Sequence, residues 1–157
     1  ATIDIFDWTS SVTSGNGTVT SAASDITLHE ATTAVSESII PAGTMGAIEF
    51  DYAGANLSVD FATASSSTIL TAVETLLETP STNPLTSGGG ALTNGGLSTD
   101  MLFVFYETAT QGSTSDAVII RYQEAAGDID ADADFANELS VVGILESVSS
   151  ITDANLA

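Results

Sequence analysis

The chain has 157 residues and a formal net charge of −20, carried by 21 acidic residues against a single cation. Its hydrophobic content of 43% is that of a globular protein rather than a disordered one, and its length fits one domain with its own core. So acidic a chain lacks the basic patches with which proteins bind nucleic acids or anionic membranes, and the absence of cysteine excludes disulfides and thiolate metal sites.

Near the start of the chain, the stretch TIDIFDW alternates as a β-strand. Ile3 and Ile5 fall on one side and Phe6 and Trp8 on the other, so both faces carry apolar groups. That pattern predicts a strand covered on both sides, and we expect it to add to the sheet of a neighbouring subunit. Val/Thr arms around Gly-Asn-Gly at 15–17 then predict a tight hairpin, because Asn and Gly tolerate positive φ.

Three alternating runs that follow predict further strands. SDITLHEATTAV places Ile26 and Leu28 on one face. TMGAIEFDYAG turns Ile48 and Phe50 to one side and its acidic residues to the other, and NLSVDFATA repeats the alternation after a turn at 53–54. The last two runs together predict a second hairpin.

One helix is predicted, from about Ser66 to Glu78. Its apolar residues fall at helical spacing on one face, namely Ile69, Leu70, Val73, Leu76 and Leu77. Ser66 or Ser67 is placed to cap the start of the helix, and Pro80 to end it. The Pro-, Ser-, Thr- and Gly-rich stretch 79–98 predicts a flexible loop, longer than the loops of compact domains usually are.

The stretch 100–157 has the clearest pattern of strands. MLFVFYET, AVIIRYQE and ELSVVGILESV are apolar runs of strand length, separated by polar connections. Together with the upstream runs they predict a mainly β fold in a single domain, 1–157. We expect an antiparallel β-sandwich or a barrel-like domain, with the one short amphipathic helix at 66–78 lying against it.

The sharpest acidic cluster lies in GDIDADADF, between the last two runs, and consists of Asp128, Asp130, Asp132 and Asp134. Alternate carboxylates in a loop can converge on calcium, which takes about six to eight oxygen ligands. The loop is not an EF-hand, because it lacks the Gly at the sixth loop position and an acidic residue at the twelfth. It is either a calcium site, which Glu138 and either Asp116 or Glu124 would complete, or a solvated acidic loop.

No catalytic motif is present in the sequence, and we expect the protein not to be an enzyme. His29 is the only histidine, and no nucleophile elbow accompanies it. Pairs such as Glu49 and Asp51 suit glycoside hydrolysis, but among 21 acidic residues such pairs are inevitable and a charged face explains them. Arg121, the single cation, is expected to pair with a carboxylate in a structural role.

Two further patterns concern sugars. Phe6, Trp8 and Tyr52 are either a platform on which a sugar stacks or residues of the core, and core packing is the commoner use of aromatic side chains. NGT at Asn16 and NLS at Asn56 match the N-glycosylation pattern, and both lie near predicted turns.

The C-terminal stretch also resembles a known family. MLFVFYET, DAVIIRYQE and the Asp-rich link are followed by ELSVVGILESVSSITDANLA with its apolar end. This order is similar to the C-terminal region of RTX-type proteins exported by type I secretion, over about the last third of the chain. The resemblance implies an uncleaved C-terminal export signal. The calcium-binding nonapeptide repeats of that family are missing here, so the resemblance implies a route out of the cell rather than an activity.

Composition and resemblance together predict a protein that is secreted or held at the cell surface. No basic segment followed by an apolar run stands near the first residue, which fits a trimmed chain, an excised domain or export without an N-terminal signal. No run is long and apolar enough for insertion into a membrane.

Two functions fit this setting. The first is a structural subunit that assembles with copies of itself into a filament or surface layer, by strand donation from its N-terminus and with calcium between acidic faces. The abundance of Ser, Thr, Ala and Gly and the lack of catalytic motifs favour it. The alternative is a calcium-dependent adhesin or glycan-binding module, whose partners would be cell-surface glycans.

Overall fold

The computed structural model describes residues 27–36, 46–79, 81–86, 100–108, 113–123, 135 and 137–151. Two sets of predicted functional residues lie outside these ranges and stay predictions. They are the N-terminal strand with Ile3, Ile5, Phe6 and Trp8, and the acidic loop with Asp128, Asp130, Asp132 and Asp134.

The described residues form seven strands and one α-helix. The strands are β1 (Thr27–Ala31), β2 (Val35–Ser36), β3 (Gly46–Phe50), β4 (Leu85–Thr86), β5 (Asp100–Tyr106), β6 (Ser115–Gln123) and β7 (Leu139–Val148). The helix is α1 (Ser66–Glu78), and a short 3-10 helix spans Ala53–Ala55. The prediction of a mainly β fold with one short helix at 66–78 is confirmed, as are the three strands predicted in the stretch 100–157.

Five strands form one sheet in the order β1-β3-β5-β6-β7. β1, β3 and β5 run parallel to one another, whereas β6 is antiparallel to both β5 and β7. The sheet is therefore mixed, not antiparallel throughout as predicted. The reason is the connection from β3 to β5, which contains α1: a helix that crosses over the sheet returns the chain to the end where β3 began, so the next strand runs parallel.

Within the described residues the sheet is open, with β1 and β7 as its two edges, so these strands do not close as a barrel-like sheet would. β2 and β4 form a separate pair, in which Val35 lies beside Leu85. β4 falls within the stretch 79–98 that the sequence assigned to a loop. Val35 and Leu85 pack into the same cluster as α1, so the described cover on this side is a helix and a short strand pair, not the second large sheet of a sandwich.

The central strands β3, β5 and β6 of the main sheet are buried on both faces, which accounts for the uninterrupted apolar sequence of β5. On one face, hereafter the helix face, α1 packs over residues that include Phe50 and Phe105, whose stacked rings have centroids 4.9 Å apart. On the other face a separate cluster consists of Ala47, Leu102, Val104, Tyr106, Ala117, Ile119 and Ile151. Ile151 belongs to the segment 149–151, which follows β7 and is hereafter called the tail. The second face of the sheet, on which Ile151 packs, is called the tail face.

α1 is an amphipathic helix whose apolar stripe is buried against the helix face, through Ile69, Val73, Leu76 and Leu77. Its N-cap is Ser65, whose side chain accepts a hydrogen bond from the main-chain N of Thr68 at 3.2 Å. The sequence placed the cap at Ser66 or Ser67, but those residues are already helical, whereas Ser65 keeps an extended backbone. α1 has 13 residues, and no helix of the described ranges is long and apolar enough to cross a bilayer.

The chain after β3 does not return as the predicted hairpin. Ala53–Ala55 is a 3-10 helix, and residues 56–64 continue as loop and turns. The main-chain N of Leu57 donates to the carbonyl of Tyr106 at 2.9 Å, and both Leu57 and Phe61 are buried on the helix face. The alternating apolar residues therefore belong to a loop that crosses the end of β5. No strand could pair with β3 here, because β1 and β5 already flank it.

The ladder between β6 and β7 is irregular at two points, one in its middle and one between Ser115 and Ala117. Beside the second irregularity, Ser147 has a left-handed backbone with φ 55°. Its main-chain N donates to Oδ1 of Asp116 at 2.8 Å. Asp116 thus stabilises a bulge near the end of β7, where an extra residue is left without a partner in the ladder.

Candidate functional site

The polar residues buried on the tail face are centred on Glu49 of β3. Every residue of β3 is buried, and Glu49 is only 1% exposed. It lies on the tail face, as does Ala47 two residues earlier, and it is in register with Val104 of β5 and Glu30 of β1. A carboxyl at such a position requires partners, because its removal from water is costly.

Glu49 accepts hydrogen bonds from two distant parts of the chain. The hydroxyl of Tyr106 donates to Oε1 of Glu49, and the main-chain N of Ile151 donates to the same atom at 2.9 Å. Tyr106 is the last residue of β5 and is fully buried. Since β5 and β6 separate β7 from β3, the tail has to fold back over the tail face to bring Ile151 to Glu49.

The surroundings of Glu49 favour its protonated form. Burial raises the pKa of Glu49 above its ordinary value of 4.5, and the carboxylates of Glu30 and Asp51 act in the same direction. The hydrogen bonds from Tyr106 and Ile151 lower this pKa, but burial is the largest effect. The pKa of Tyr106 is raised as well, first by burial and then by its bond to Glu49, so Tyr106 keeps its proton and acts as a donor.

A second buried carboxyl, Asp51, follows β3 directly and is 3% exposed. Its main-chain N donates to the carbonyl of Ala31 at 3.1 Å, which extends the contact between β1 and β3. Oδ1 of Asp51 and Oδ1 of Asn56 are both buried without a hydrogen-bond partner in the described part of the chain. The described residues contain no group of three or more histidine and acidic side chains placed to hold a metal ion.

The Glu49 cluster is closed to solvent, which decides what it can do. A substrate would have to reach the carboxyl, yet Glu49 and Tyr106 are buried and Ile151, itself 4% exposed, packs on the same face. The partner that does reach Glu49 is a main-chain N–H of the tail. The cluster is therefore a docking point for the chain's own tail, in which one carboxyl can gain or lose a proton.

The acidic segment predicted to bind calcium lies outside the described residues, but the residues on either side of it are described. The main-chain N of Gln123, at the end of β6, donates to the carbonyl of Glu138 at 2.9 Å. Glu138 is buried at this position, and its role as a ligand stays a prediction. Asp116 lies at the other end of β6, roughly 23 Å away along an extended strand, and accepts a hydrogen bond from Ser147. Glu124 is outside the described residues.

The other residues singled out from the sequence lie on separate elements. His29 is half-buried on β1, in register with Ile48. Arg121 is half-buried on β6 and interacts with another group of the chain. Tyr52 and Asn56 flank the 3-10 helix, and both are half-buried. The glycosylation pattern at Asn56 thus falls on a residue whose side-chain oxygen is buried, not on an open turn.

Sequence reasoning did not find the Glu49 cluster. The alternation of β3 assigned Glu49 to a solvated acidic face, together with Asp51. The apolar run MLFVFY in β5 could have predicted the burial of Glu49. An uninterrupted apolar strand is covered on both faces of its sheet, so an acidic residue on the neighbouring strand is buried too and needs hydrogen-bond partners. No local pattern pairs Ile151 with β3.

A scan against protein-family models, a search of curated proteins and a search of solved structures found no match for this chain. Its function is therefore inferred from its own residues.

Proposed function

We propose that this protein is an extracellular structural subunit that assembles with copies of itself into a filament or surface layer. The observation that carries the proposal is the edge strand β7. It spans ten residues, and among the described residues β6 is its one neighbour in the sheet. A long edge strand offers a row of main-chain groups to which another strand can bind.

The side chains of β7 suit such pairing. From Leu139 to Leu145 the strand has no charged residue. Ile144 is 39% exposed and is the one large apolar side chain that the described residues expose to this extent. Edge strands of monomeric proteins commonly carry Lys or Pro, which prevent contact with a second chain. β7 has no Pro and the whole chain has no Lys, so between Leu139 and Leu145 neither device opposes the addition of a strand.

The net charge points to the same surface. Two copies that each carry a net charge of −20 repel one another, and the donor strand TIDIFDW itself carries Asp4 and Asp7, so contact is least unfavourable where the receiving strand presents no carboxylate. The stretch Leu139–Leu145 is such a place, and the next residue, Glu146, marks its end. A second copy of this chain is therefore the partner that we propose for β7.

The donor in the second copy is the N-terminal strand, with its apolar residues Ile3, Ile5, Phe6 and Trp8. A strand added beside β7 extends both faces of the sheet, and it needs apolar groups on both of its sides. On β7 itself, Val141 packs with the helix-face cluster while Val142 and Leu145 pack with the tail-face cluster. The two-sided apolar pattern of the N-terminal strand matches this arrangement.

Calcium and export complete the proposal. The loop with Asp128, Asp130, Asp132 and Asp134 is the proposed calcium site, and its base at Glu138 adjoins the first residue of β7. An ion bound there would neutralise charge beside the assembling edge. The resemblance of 100–157 to exported RTX-type proteins supports a location outside the cell.

The alternative, an adhesin or glycan-binding module, has less support. A sugar-stacking platform needs aromatic rings at the surface. The aromatic residues of the described ranges are buried, except Tyr52, which is half-buried.

The decisive experiment introduces a charge on the edge with Ile144→Lys. Sedimentation velocity and negative-stain electron microscopy would compare it with the wild type in excess calcium. We expect wild-type protein to form polymers and Ile144→Lys to remain monomeric, because a buried Lys in the new strand pair would lose its hydration. Thr71→Lys, on the exposed side of α1, is the matched control and should assemble as the wild type does.

The outcomes separate the parts of the proposal. Assembly of Ile144→Lys at the wild-type concentration would exclude β7 as the interface. Wild-type protein that stays monomeric with and without calcium would reject the structural-subunit function altogether. Deletion of residues 1–8 tests the donor: assembly should be lost and then restored in part by the peptide TIDIFDW, whereas unchanged assembly rejects strand donation.

A further inference from the structure

Within the described part of the chain, one hydrogen bond and the side chain of Ile151 attach the tail to the tail face. After β7 ends at Val148, Ser149 and Ser150 are exposed. Ile151 then turns inward, and its side chain joins the apolar cluster of the tail face. Its main-chain N donates to Oε1 of Glu49, and within the described residues no other hydrogen bond joins the tail to the rest of the chain.

We propose that Glu49 and Tyr106 form a proton-controlled latch, which holds the tail when Glu49 is protonated and releases it more readily when Glu49 is ionised. A docked tail keeps water from the carboxyl, and a detached tail admits water to it. Because water stabilises the ionised form, ionisation of Glu49 and detachment of the tail favour each other. This inference is independent of the proposed role in assembly.

The charges that face Glu49 support a latch that holds the tail while Glu49 is protonated. Glu30 approaches from β1, Asp51 from the end of β3 and Tyr106 from β5, and the two carboxylates raise the pKa of Glu49. From β6, the residue in the same row of the sheet is the apolar Ile119. Among the described residues no cation shifts the pKa of Glu49, so none of them offers its ionised form an ion pair while the tail is docked.

Arg121, the one cation of the chain, does not change this conclusion. It lies on β6 in register with Leu102 and Ser140, in a different row of the sheet from Glu49. It is not one of the groups that act on the pKa of Glu49.

The two donors to Glu49 have different parts in the latch. Tyr106 is fixed in β5, so its hydroxyl can stay with Glu49 whether the tail is docked or not. The bond from Ile151 is the one that is made and broken. That bond by itself favours the ionised carboxyl, whereas the water that the docked tail excludes favours the protonated one. The latch as proposed requires the exclusion of water to be the larger of these two effects, and the direction in which exchange at Ile151 changes with pH tests it.

Nuclear magnetic resonance at a series of pH values tests the latch directly. The side-chain carboxyl of Glu49 and the amide of Ile151 should titrate with one common midpoint, above the ordinary value of 4.5. Hydrogen exchange at Ile151, corrected for the intrinsic effect of pH, should become at least several-fold faster as the pH rises through that midpoint. In Glu49→Gln, which keeps an acceptor oxygen but cannot ionise, the amide of Ile151 should show neither change.

Glu30→Gln is the matched control. It removes one exposed carboxylate that raises the pKa of Glu49, so the common midpoint should move down while the coupling to Ile151 persists. Exchange at Ile151 that ignores the titration of Glu49, or that has the same pH dependence in Glu49→Gln, would overturn the proposal. If Glu49→Gln fails to fold, Tyr106→Phe serves instead: loss of its hydrogen bond should move the midpoint up for both groups together, and separate midpoints would overturn the latch.

Discussion

The main-chain nitrogen of Ile151 donates a hydrogen bond to Glu49, a residue 102 positions earlier in the chain. Ile151 follows β7, the last strand of the antiparallel part of the sheet, and Glu49 lies in β3, in the parallel part. The bond therefore connects the two parts of the sheet. Tyr106, at the end of the shared strand β5, donates to the same oxygen. One buried carboxyl thus connects three segments that are far apart in sequence.

Glu49→Gln should change how stability depends on pH. Folding raises the pKa of Glu49 above 4.5, so the folded state holds this proton more tightly than the unfolded state does. Its contribution to stability is complete below the unfolded-state pKa and is lost as the pH rises through the folded-state pKa. Gln cannot ionise, so the free energy of unfolding of the variant, relative to the wild type, should rise across this window and then level off.

Urea unfolding followed by circular dichroism, repeated at several pH values, measures that difference. The comparison isolates one group from the other 20 acidic residues, because both proteins carry them. A difference between the two proteins that does not vary with pH would contradict a raised pKa at Glu49.

Tyr106→Phe should lower the free energy of unfolding at neutral pH by about 1–3 kcal/mol, because Glu49 is then buried with one donor fewer. Tyr52→Phe, at a half-buried tyrosine outside the cluster, is the control, and we expect it to cost less than about 0.5 kcal/mol. In the double variant with Glu49→Gln, the combined cost should be smaller than the sum of the two single costs, since the residues are direct partners. Additive costs would show that the bond contributes nothing of its own.

Ser65→Ala should destabilise the fold by about 1 kcal/mol, because its side chain accepts a hydrogen bond from the first turn of α1. The expectation from sequence placed the cap at Ser66 or Ser67, so Ser66→Ala is the matched control. We expect Ser66→Ala to be neutral or slightly stabilising, since Ala has the higher helix propensity. Thermal unfolding of the two variants decides between the positions, and a larger loss in Ser66→Ala would place the cap where the sequence suggested.

Ser147→Gly should leave stability unchanged or raise it by up to about 1 kcal/mol, because Gly adopts the left-handed backbone of this bulge without a steric cost. Ser140→Gly, at an exposed serine of the same strand, should instead cost about 0.5–1 kcal/mol, since Gly weakens an extended strand. Equal losses in the two variants, measured by urea unfolding, would mean that the backbone at Ser147 is not strained.

The elements that sequence predicts well are those specified by local pattern. The limits of α1, Ser66 and Glu78, follow from an apolar stripe with helical spacing. The three strands after residue 99 follow from apolar runs of strand length between polar connections. In each case the signal lies within the segment itself.

Strand direction was not predictable in the same way. Ile48 lies beside Phe103 in a parallel pair, because the chain between β3 and β5 crosses over the sheet with α1. The run that contains Leu57 alternates as a strand would, yet it is a loop, since both sides of β3 are already occupied. Such outcomes depend on which strands compete for one edge, and that is not a property of any single segment.

The Glu49 cluster was missed for a related reason. An acidic residue in an alternating strand normally faces water, and only the cover on both faces of the sheet makes Glu49 a buried group. Its two donors, Tyr106 and Ile151, come from other parts of the chain. The aspartates at 128–134 have a spacing that suggests a calcium site, but they lie outside the described residues, so that site remains a prediction.

The position of β5 between a parallel and an antiparallel neighbour has a consequence for the order of folding. Phe105 pairs with Val118 after a short connection, but with Phe50 only after a long segment of chain has been closed into a loop. Loop closure costs more entropy for the longer segment, so we expect β5, β6 and β7 to form first and to serve as a template for β3 and then β1. Such an intermediate exposes β5 as a second open edge besides β7, and the repulsion between highly acidic chains opposes its aggregation through β5 until β3 covers that edge.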